Sequence, residues 1–550
     1  RLIVGNNQAL GTGTLNAAAG TTLDSNTAVG LGNQVNLGGG VTIGGGADLT
    51  LAGVVGGIGS LIKNGNANLT LNGANTYQGG TTLNAGTLTL GNNGALGNGV
   101  LTVAGAANLD SAPGISLNNN LTLNANLTLP GSNDLTLGGV IGGMGQLIKN
   151  GTTNLTLNGI NTYQGGTALN AGTLTLGNSG ALGTGALTVG GAATLDNSTP
   201  MALGNNLTLN ADLTLAGNNN LILAGVIGGS SGLIKDGLAD LSLSGNNTFS
   251  GPLNVLAGSV TTLSSGALGN SSGANISAGA SLNLGANASL GGLTGSGSVQ
   301  LSPGVALSVG GSNASSVFNG DLSGSGQLTK VGSGTLTLGG INGLTGNTNV
   351  NGGTLNITGS LASTQLNVNN GATLTGTGSA LGVITVNSGG HLALSSGNTL
   401  STSSLILTAN SNVDASLATP STSSLMNIGG NLTLDGNLNV TDAGGFGVGV
   451  YRLFNYIGAL TNNGLTVAGV PAGYALGDLT VQTLGNQVNV VVSAPNTNLR
   501  FWDGSQTFPN GTVDGGTGTW TAGGTNWTNS NGTLNQTWAA DFAVFQGTAG

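Results

Sequence analysis

Glutamate and cysteine are both absent from this chain of 550 residues, all 16 acidic residues being Asp; Lys plus Arg number 7, His 1 and Pro 9. Each shortage excludes something. Without cysteine there is no disulfide framework and no structural Cys–zinc site. Charged residues are 4% of the chain, against roughly 25% in an average soluble domain. The scarcity of Glu, Lys, Arg and Gln removes most good helix formers, while Thr, Val and Leu recur, so helix is disfavoured and strand favoured. A formal net charge of −9 is small for this length and gives no electrostatic pull toward nucleic acid or anionic membrane, so no nucleic-acid partner is expected. No apolar run reaches the roughly 18 residues of a membrane-spanning helix. The opening Arg1-Leu2-Ile3-Val4-Gly5 lacks the basic, apolar and small-residue regions of a signal peptide, which leads us to expect a removed export signal or an excised piece of a longer chain.

What is present is glycine, 108 residues of it, and 38% hydrophobic residues spread evenly, enough apolar surface to offset the entropy of ordering. The apolar residues repeat. Leu61-Ile62-Lys63-Asn64-Gly65 returns as Leu147-Ile148-Lys149-Asn150-Gly151 and as Leu233-Ile234-Lys235-Asp236-Gly237, a step of 86 residues (149 − 63 and 235 − 149). A looser copy, Leu328-Thr329-Lys330-Val331-Gly332, follows. Asn75-Thr76-Tyr77, Asn161-Thr162-Tyr163 and Asn247-Thr248-Phe249 keep the same step.

Within each period the apolar residues alternate with Thr, Asn or Ser, as in Leu69/Leu71, Leu88/Leu90 and Leu101/Val103. That is the strand signature, and Gly and Asn punctuate it as turns require. The fold class expected is all-β: a right-handed parallel β-helix of about 21 residues per coil, four coils per period, without significant helix. Stacked coils about 4.8 Å apart would line up leucines inside and Thr or Asn outside, with Asn ladders at the corners. Under this reading the repeat lysines sit at solvated coil edges, and Tyr77, Tyr163 and Phe249 fill coil corners.

Gly59-Ser60-Leu61-Ile62-Lys63-Asn64-Gly65, Asn68-Leu69-Thr70-Leu71-Asn72-Gly73, Asn75-Thr76-Tyr77 and Gly86-Thr87-Leu88 together resemble the autotransporter-associated β-strand repeat of Gram-negative type V secretion passengers. The resemblance is closest from Gly56 to about Gly269 and returns at Ser325–Leu355. It implies a parallel β-helix displayed at the cell surface, outer-membrane anchored or secreted, with an outer-membrane barrel in the same polypeptide. No stretch of this chain has the alternating strands and aromatic girdles of such a barrel.

Texture changes near residue 445. Of 17 aromatic residues, only Tyr77, Tyr163, Phe249 and Phe318 precede it. The expected organisation is a repetitive β-helix over 1–445, an aromatic-richer end of that module over 446–495, and the start of a further β-helical module over 496–550. Pro495-Asn496-Thr497-Asn498 forms the boundary.

Candidate chemistry is sparse, and no catalytic, cofactor or metal residue is assigned. A Ser-His-Asp triad would need His391, whose setting, Ser388-Gly389-Gly390-His391-Leu392, reads as a turn. Gly228-Gly229-Ser230-Ser231-Gly232 fits the nucleophile-elbow pattern, but that pattern needs a helix after it. Asp236 with Asp240, and Asp435 with Asp442, are the closest acidic pairs considered for polysaccharide cleavage; solvated turn positions suit Asp equally. Neither the calcium nonapeptide repeat nor an EF-hand loop occurs. Trp502, Trp520, Trp527 and Trp538 offer either sugar-stacking faces or a local core. The expected function is a non-enzymatic surface stalk acting in adhesion or cell aggregation. The alternatives are a polysaccharide-binding or polysaccharide-cleaving β-helix, and an inert spacer for a head elsewhere. Expected partners are host or neighbouring-cell surface molecules, polysaccharide, or other copies of the rod associating laterally.

Overall fold

A computed structural model describes residues 1–217, 219–493, 499–521, 523–538 and 542–545; the expected boundary at Pro495–Asn498 lies outside them. The local unit is a strand of three or four residues such as Leu121–Leu123 or Leu127–Leu129, whose first and third side chains are buried and whose middle threonine is half-buried. Two-residue periodicity makes this unavoidable: Leu-Thr-Leu puts both leucines on one side of the strand. Each fully buried leucine contributes about 2 kcal/mol. The backbone cost of so many corners is met by glycine. Gly57, Gly143 and Gly229 hold φ of +103°, +105° and +110°, and a Cβ on any of them would meet the carbonyl oxygen of the preceding coil within 2.4 Å.

The chain divides into two compact units, Arg1–Ser289 and Leu290–Gly550. In the first, strands pair in parallel with copies one coil away, forming three faces. On the first face lie Val41–Ile43, Leu61–Lys63, Thr81–Leu83, Leu101–Val103, Leu121–Leu123 and Ile141–Gly143. On the second lie Leu49–Leu51, Asn68–Leu71, Thr87–Leu90, Ala107–Ser111, Leu127–Leu129 and Leu147–Lys149. The third carries Ile115–Leu117, Leu135–Leu137, Asn154–Leu157, Gly172–Leu176, Ala193–Asn197, Leu213–Leu215 and Leu233–Lys235. The fold is thus the expected all-β solenoid.

Its phase differs from the expected one. Partners such as Leu61↔Thr81, Thr81↔Leu101, Leu101↔Leu121 and Leu121↔Ile141 are 20 residues apart. Four coils above Leu61 is therefore Ile141, and Leu147 lies one face further on, paired with Leu127 and Thr167. The 86-residue repeat is not four coils of 21 but four and a third coils of 20. Lys63, Lys149 and Lys235 consequently occupy the first, second and third faces in turn.

The second unit has the same short parallel strands at first, as in Gln327–Lys330 against Thr348–Val350. Longer strands follow, Ser379–Val386 and Leu400–Leu407. The parallel ladder then stops: Gly449–Tyr456 pairs antiparallel with Gln487–Val492, which pairs antiparallel with Leu479–Leu484. Beyond it Leu499–Trp502 pairs parallel with Phe542–Val544 and antiparallel with Trp527–Thr528. Among the described residues the one helical element is a single 3₁₀ turn, Leu476–Asp478.

Candidate functional site

The feature that recurs is a node at which each repeat lysine turns inward. Leu61-Ile62-Lys63 is a strand, so Lys63 shares the inner side with Leu61 and stands in a column between Ile43 and Leu83. Lys63, Lys149, Lys235 and Lys330 are all buried, which corrects the expected solvated edge. Each ammonium is held by backbone carbonyls of the turn that follows. Lys63 Nζ donates to Asn64 O and Gly65 O, both at 2.8 Å, and to Ala85 O of the next coil at 3.2 Å. Lys330 Nζ repeats the pattern on Val331 O, Gly332 O and Gly352 O at 2.7, 2.9 and 3.1 Å. Lys149 donates to Gly151 O at 2.6 Å, and Lys235 to Gly237 O and Ala257 O.

Removing an ammonium from water costs several kcal/mol, and charge-assisted bonds to carbonyls offset it. Burial accordingly pushes the Lys63, Lys149 and Lys235 amines below the usual lysine range, while Asp48, Asp134 and Asp240 respectively pull back upward. Lys330 is lowered by burial with no such counterweight.

A second node lies half a coil away. Asn75 takes the place of a strand residue and extends the ladder with its side chain, accepting from Val55 N at 2.7 Å and donating to Ala95 O at 2.6 Å. Asn161 bridges Ile141 N and Ala181 O, and Asn247 bridges Ile227 N and Ala267 O, in the same way. The following aromatic is fully buried in each case, filling its corner as expected. The Tyr77 and Tyr163 hydroxyls pair with Thr81 and Thr167 at 2.5 and 2.6 Å. Burial, only partly opposed by those threonine bonds, pushes both phenols up to about 12. Asparagine pairs also form the expected ladders in short runs: Asn84 to Asn64 at 2.6 Å, Asn170 to Asn150 at 2.7 Å, and Asn387 to Asn369 to Asn351 at 2.7 and 2.6 Å.

The residues considered for catalysis fall elsewhere. His391 opens the strand His391–Ser395 instead of lying in a turn. Its Nδ1 is 2.7 Å from Asp414 Oδ2, and Asn439 donates to the other oxygen of that carboxylate at 2.8 Å. Two members of a triad therefore meet, joined by an amide and not by a nucleophile. Asp236 is exposed, whereas Asp240 accepts from Ser242, Ser259 and Thr261. Asp435 and Asp442 bind the turn amides of Gly436 and Gly444, both at 2.7 Å. Among the described residues no three His or Asp side chains are grouped to hold a metal ion. Trp527 is fully buried with Trp502, Trp520 and Trp538 around it at 5.1, 5.9 and 4.7 Å between ring centres. The tryptophans pack on one another, and Trp520 remains half-exposed at 56%.

Comparison with known proteins places these nodes. Residues 61–90, 147–176, 233–269 and 328–357 match the passenger-associated-transport-repeat family, and each match begins at the leucine two residues before a buried lysine. A segment of 144 residues, 25% of this chain, is 42% identical to the adhesin BmaC autotransporter of Brucella suis biovar 1 (strain 1330). The matched segment spans 4% of that relative's length.

Proposed function

Because this chain is autotransporter passenger sequence built on transport repeats, carried at the cell surface of a Gram-negative bacterium or released from it, we propose that it acts as a non-catalytic adhesive stalk. The observation that carries this reading is how the repeat uses its chemistry. The lysines, the bridging asparagines and the corner tyrosines are all turned inward: the asparagines with Lys63, Lys235 and Lys330 join one coil to the next, and the tyrosines fasten a corner within its own coil. What the first unit shows to solvent is threonine, asparagine, glycine and carboxylate, with single apolar side chains such as Ile58, Met144, Ile160 and Leu238 among them. Because successive repeats are set one face apart, a contact made by one repeat is offered again on the next face. Many weak contacts then add through their effective concentration.

The similarity to an autotransporter adhesin supports the adhesive part. Deleting residues 61–357 from the full-length protein and measuring bacterial adherence and cell aggregation tests the reading. Adherence should fall severalfold with the protein still at the surface. Unchanged adherence and aggregation would reduce these residues to a spacer.

A further inference from the structure

We propose that the groove between the turn at residues 93–100 and the rim at residues 116–120 binds an uncharged oligosaccharide; this rests on the adhesive reading above and names a ligand class for it. The groove has a volume of about 600 Å³, and none of the ten residues that line it is charged. That size falls within the roughly 300–1,000 Å³ of small-molecule sites, but those are mainly apolar. Here the lining is amide and hydroxyl: Asn93, Asn98, Ser116, Asn118, Asn119 and Asn120.

The repeat node makes the floor rigid. Ala95 and Leu96 are buried above Tyr77, and Asn98 N donates to Tyr77 O at 3.0 Å. Asn119 Nδ2 ties rim to turn through Gly97 O and Gly99 O at 3.0 and 2.8 Å. Asn93 Oδ1 accepts from Ser116 N at 2.9 Å. These bonds leave the Asn93 amide donors and the exposed Asn98 and Asn118 amides directed to solvent.

The next repeat is an internal control. Asn205 replaces Asn119 and makes the same two bonds, to Gly183 O and Gly185 O. Yet Ser179, Thr184, Ala202 and Gly204 stand where the first repeat has Asn93, Asn98, Ser116 and Asn118. The solenoid therefore keeps Asn119 and also Asn120, whose bond from Val140 N recurs at Asn206 from Val226 N, but not Asn98 or Asn118, whose amides are free for another use. An asparagine side chain offers two donors and an acceptor together. Adjacent sugar hydroxyls are matched by such groups directly or through a bridging water. With no cation in the lining, nothing favours acidic sugars over neutral ones.

The test is titration of the whole chain with maltohexaose, cellohexaose, chitohexaose and mannohexaose, and with a hexagalacturonate as the charged control, followed by ligand-detected NMR. At least one neutral hexasaccharide should bind at one equivalent. The double variant Asn98→Ala/Asn118→Ala should weaken it at least tenfold with an unchanged melting curve. Binding that survives that variant, or no binding by any of the four, overturns the proposal. Should the double variant misfold, the graft Ser179→Asn/Thr184→Asn/Ala202→Ser/Gly204→Asn decides; a Cβ at Gly204 meets nothing within 4 Å. A second equivalent supports the groove, and unchanged stoichiometry overturns it. Adherence lost on deletion of residues 61–357 with no hexasaccharide bound overturns the groove alone and leaves the stalk in place.

Discussion

Asn220 Oδ1 accepts the backbone N–H of Asp240 one coil above it at 3.1 Å. Asp48 makes the same bond to Asn68, and Asp134 to Asn154, both at 2.8 Å. These are equivalent places in three repeats, with amide and carboxylate exchanged in the third. The exchange keeps one carboxylate of this pair beside each buried ammonium: Asp48 for Lys63, Asp134 for Lys149 and Asp240 for Lys235. The hydrogen bond tolerates either acceptor, so it is the charge that the two positions share between them. At the fourth node Ser315 and Thr335 make the corresponding bond at 3.0 Å, and Lys330 has no carboxylate raising it.

Asp48→Asn should therefore keep its bond to Asn68 and lose only the field on Lys63. The expected cost is a few tenths to about 1 kcal/mol, the range of exposed charge pairs. Adding Asn68→Asp reproduces the arrangement of the third repeat and should recover most of that loss. Hydrogen exchange at residues 63–66 in the two single variants and the double reads the coupling. Additive effects, with no recovery, would remove the counter-ion role.

The tyrosine nodes give a pH dependence of known sign. The Tyr77 and Tyr163 phenols titrate near 10.0 when unfolded and near 12 in the fold. Between those values the folded chain holds more protons, so stability is fully present below pH 10 and is lost as pH rises toward 12. Two units correspond to about 3 kcal/mol per tyrosine at most. The buried lysines act oppositely: their lowered values mean that stability rises with pH as it approaches the unfolded value of 10.5. Tyr77→Phe/Tyr163→Phe should flatten the alkaline loss above pH 10, measured by urea unfolding across that range. Phe249 fills the third node without a hydroxyl, so the corner itself should accept the change.

Asn75→Ala should orphan both Val55 N–H and Ala95 C=O, which are buried partners of its side chain. At about 1–3 kcal/mol per orphaned group, the expected loss is about 2–6 kcal/mol. Asn161→Ala, on another face, should cost the same amount. Hydrogen exchange at Val55 and Ile141 in the respective variants checks both the size and the equivalence.

Much of the architecture was legible in the sequence, because Leu-Thr-Leu alternation fixes strand, inner face and outer face together. The inward lysines were legible too, through the same rule: in Leu61-Ile62-Lys63 an inward Leu61 implies an inward Lys63. The habit of sending charge to solvent hid this, since the carbonyl cage that offsets burial is made of backbone and leaves no side-chain signature. The phase of the repeat was half-visible. Leu101-Thr102-Val103 and Leu121-Thr122-Leu123 are 20 residues apart, and 86 is not a multiple of 20. The Asn93–Asn120 groove was not legible, because its lining comes from successive coils and depends on which asparagines the solenoid has already used. His391 and Asp414 likewise meet only through the register of adjacent strands, His391↔Asn412 and Ala393↔Asp414.

One repeat advances the chain by four and a third coils, and the placing of every node follows from that step. The chain has no cysteine, so spin labels can be placed cleanly on outward threonines. Thr42 and Thr122 lie on one face, joined through Ile62, Thr82 and Thr102, whereas Thr128, 86 residues beyond Thr42, lies on the next. In Thr42→Cys/Thr122→Cys, electron-resonance distances should centre near four rungs, about 19 Å, and in Thr42→Cys/Thr128→Cys they should be longer. The reverse order, with the 86-residue pair at the four-rung distance and the 80-residue pair further apart, would contradict the account.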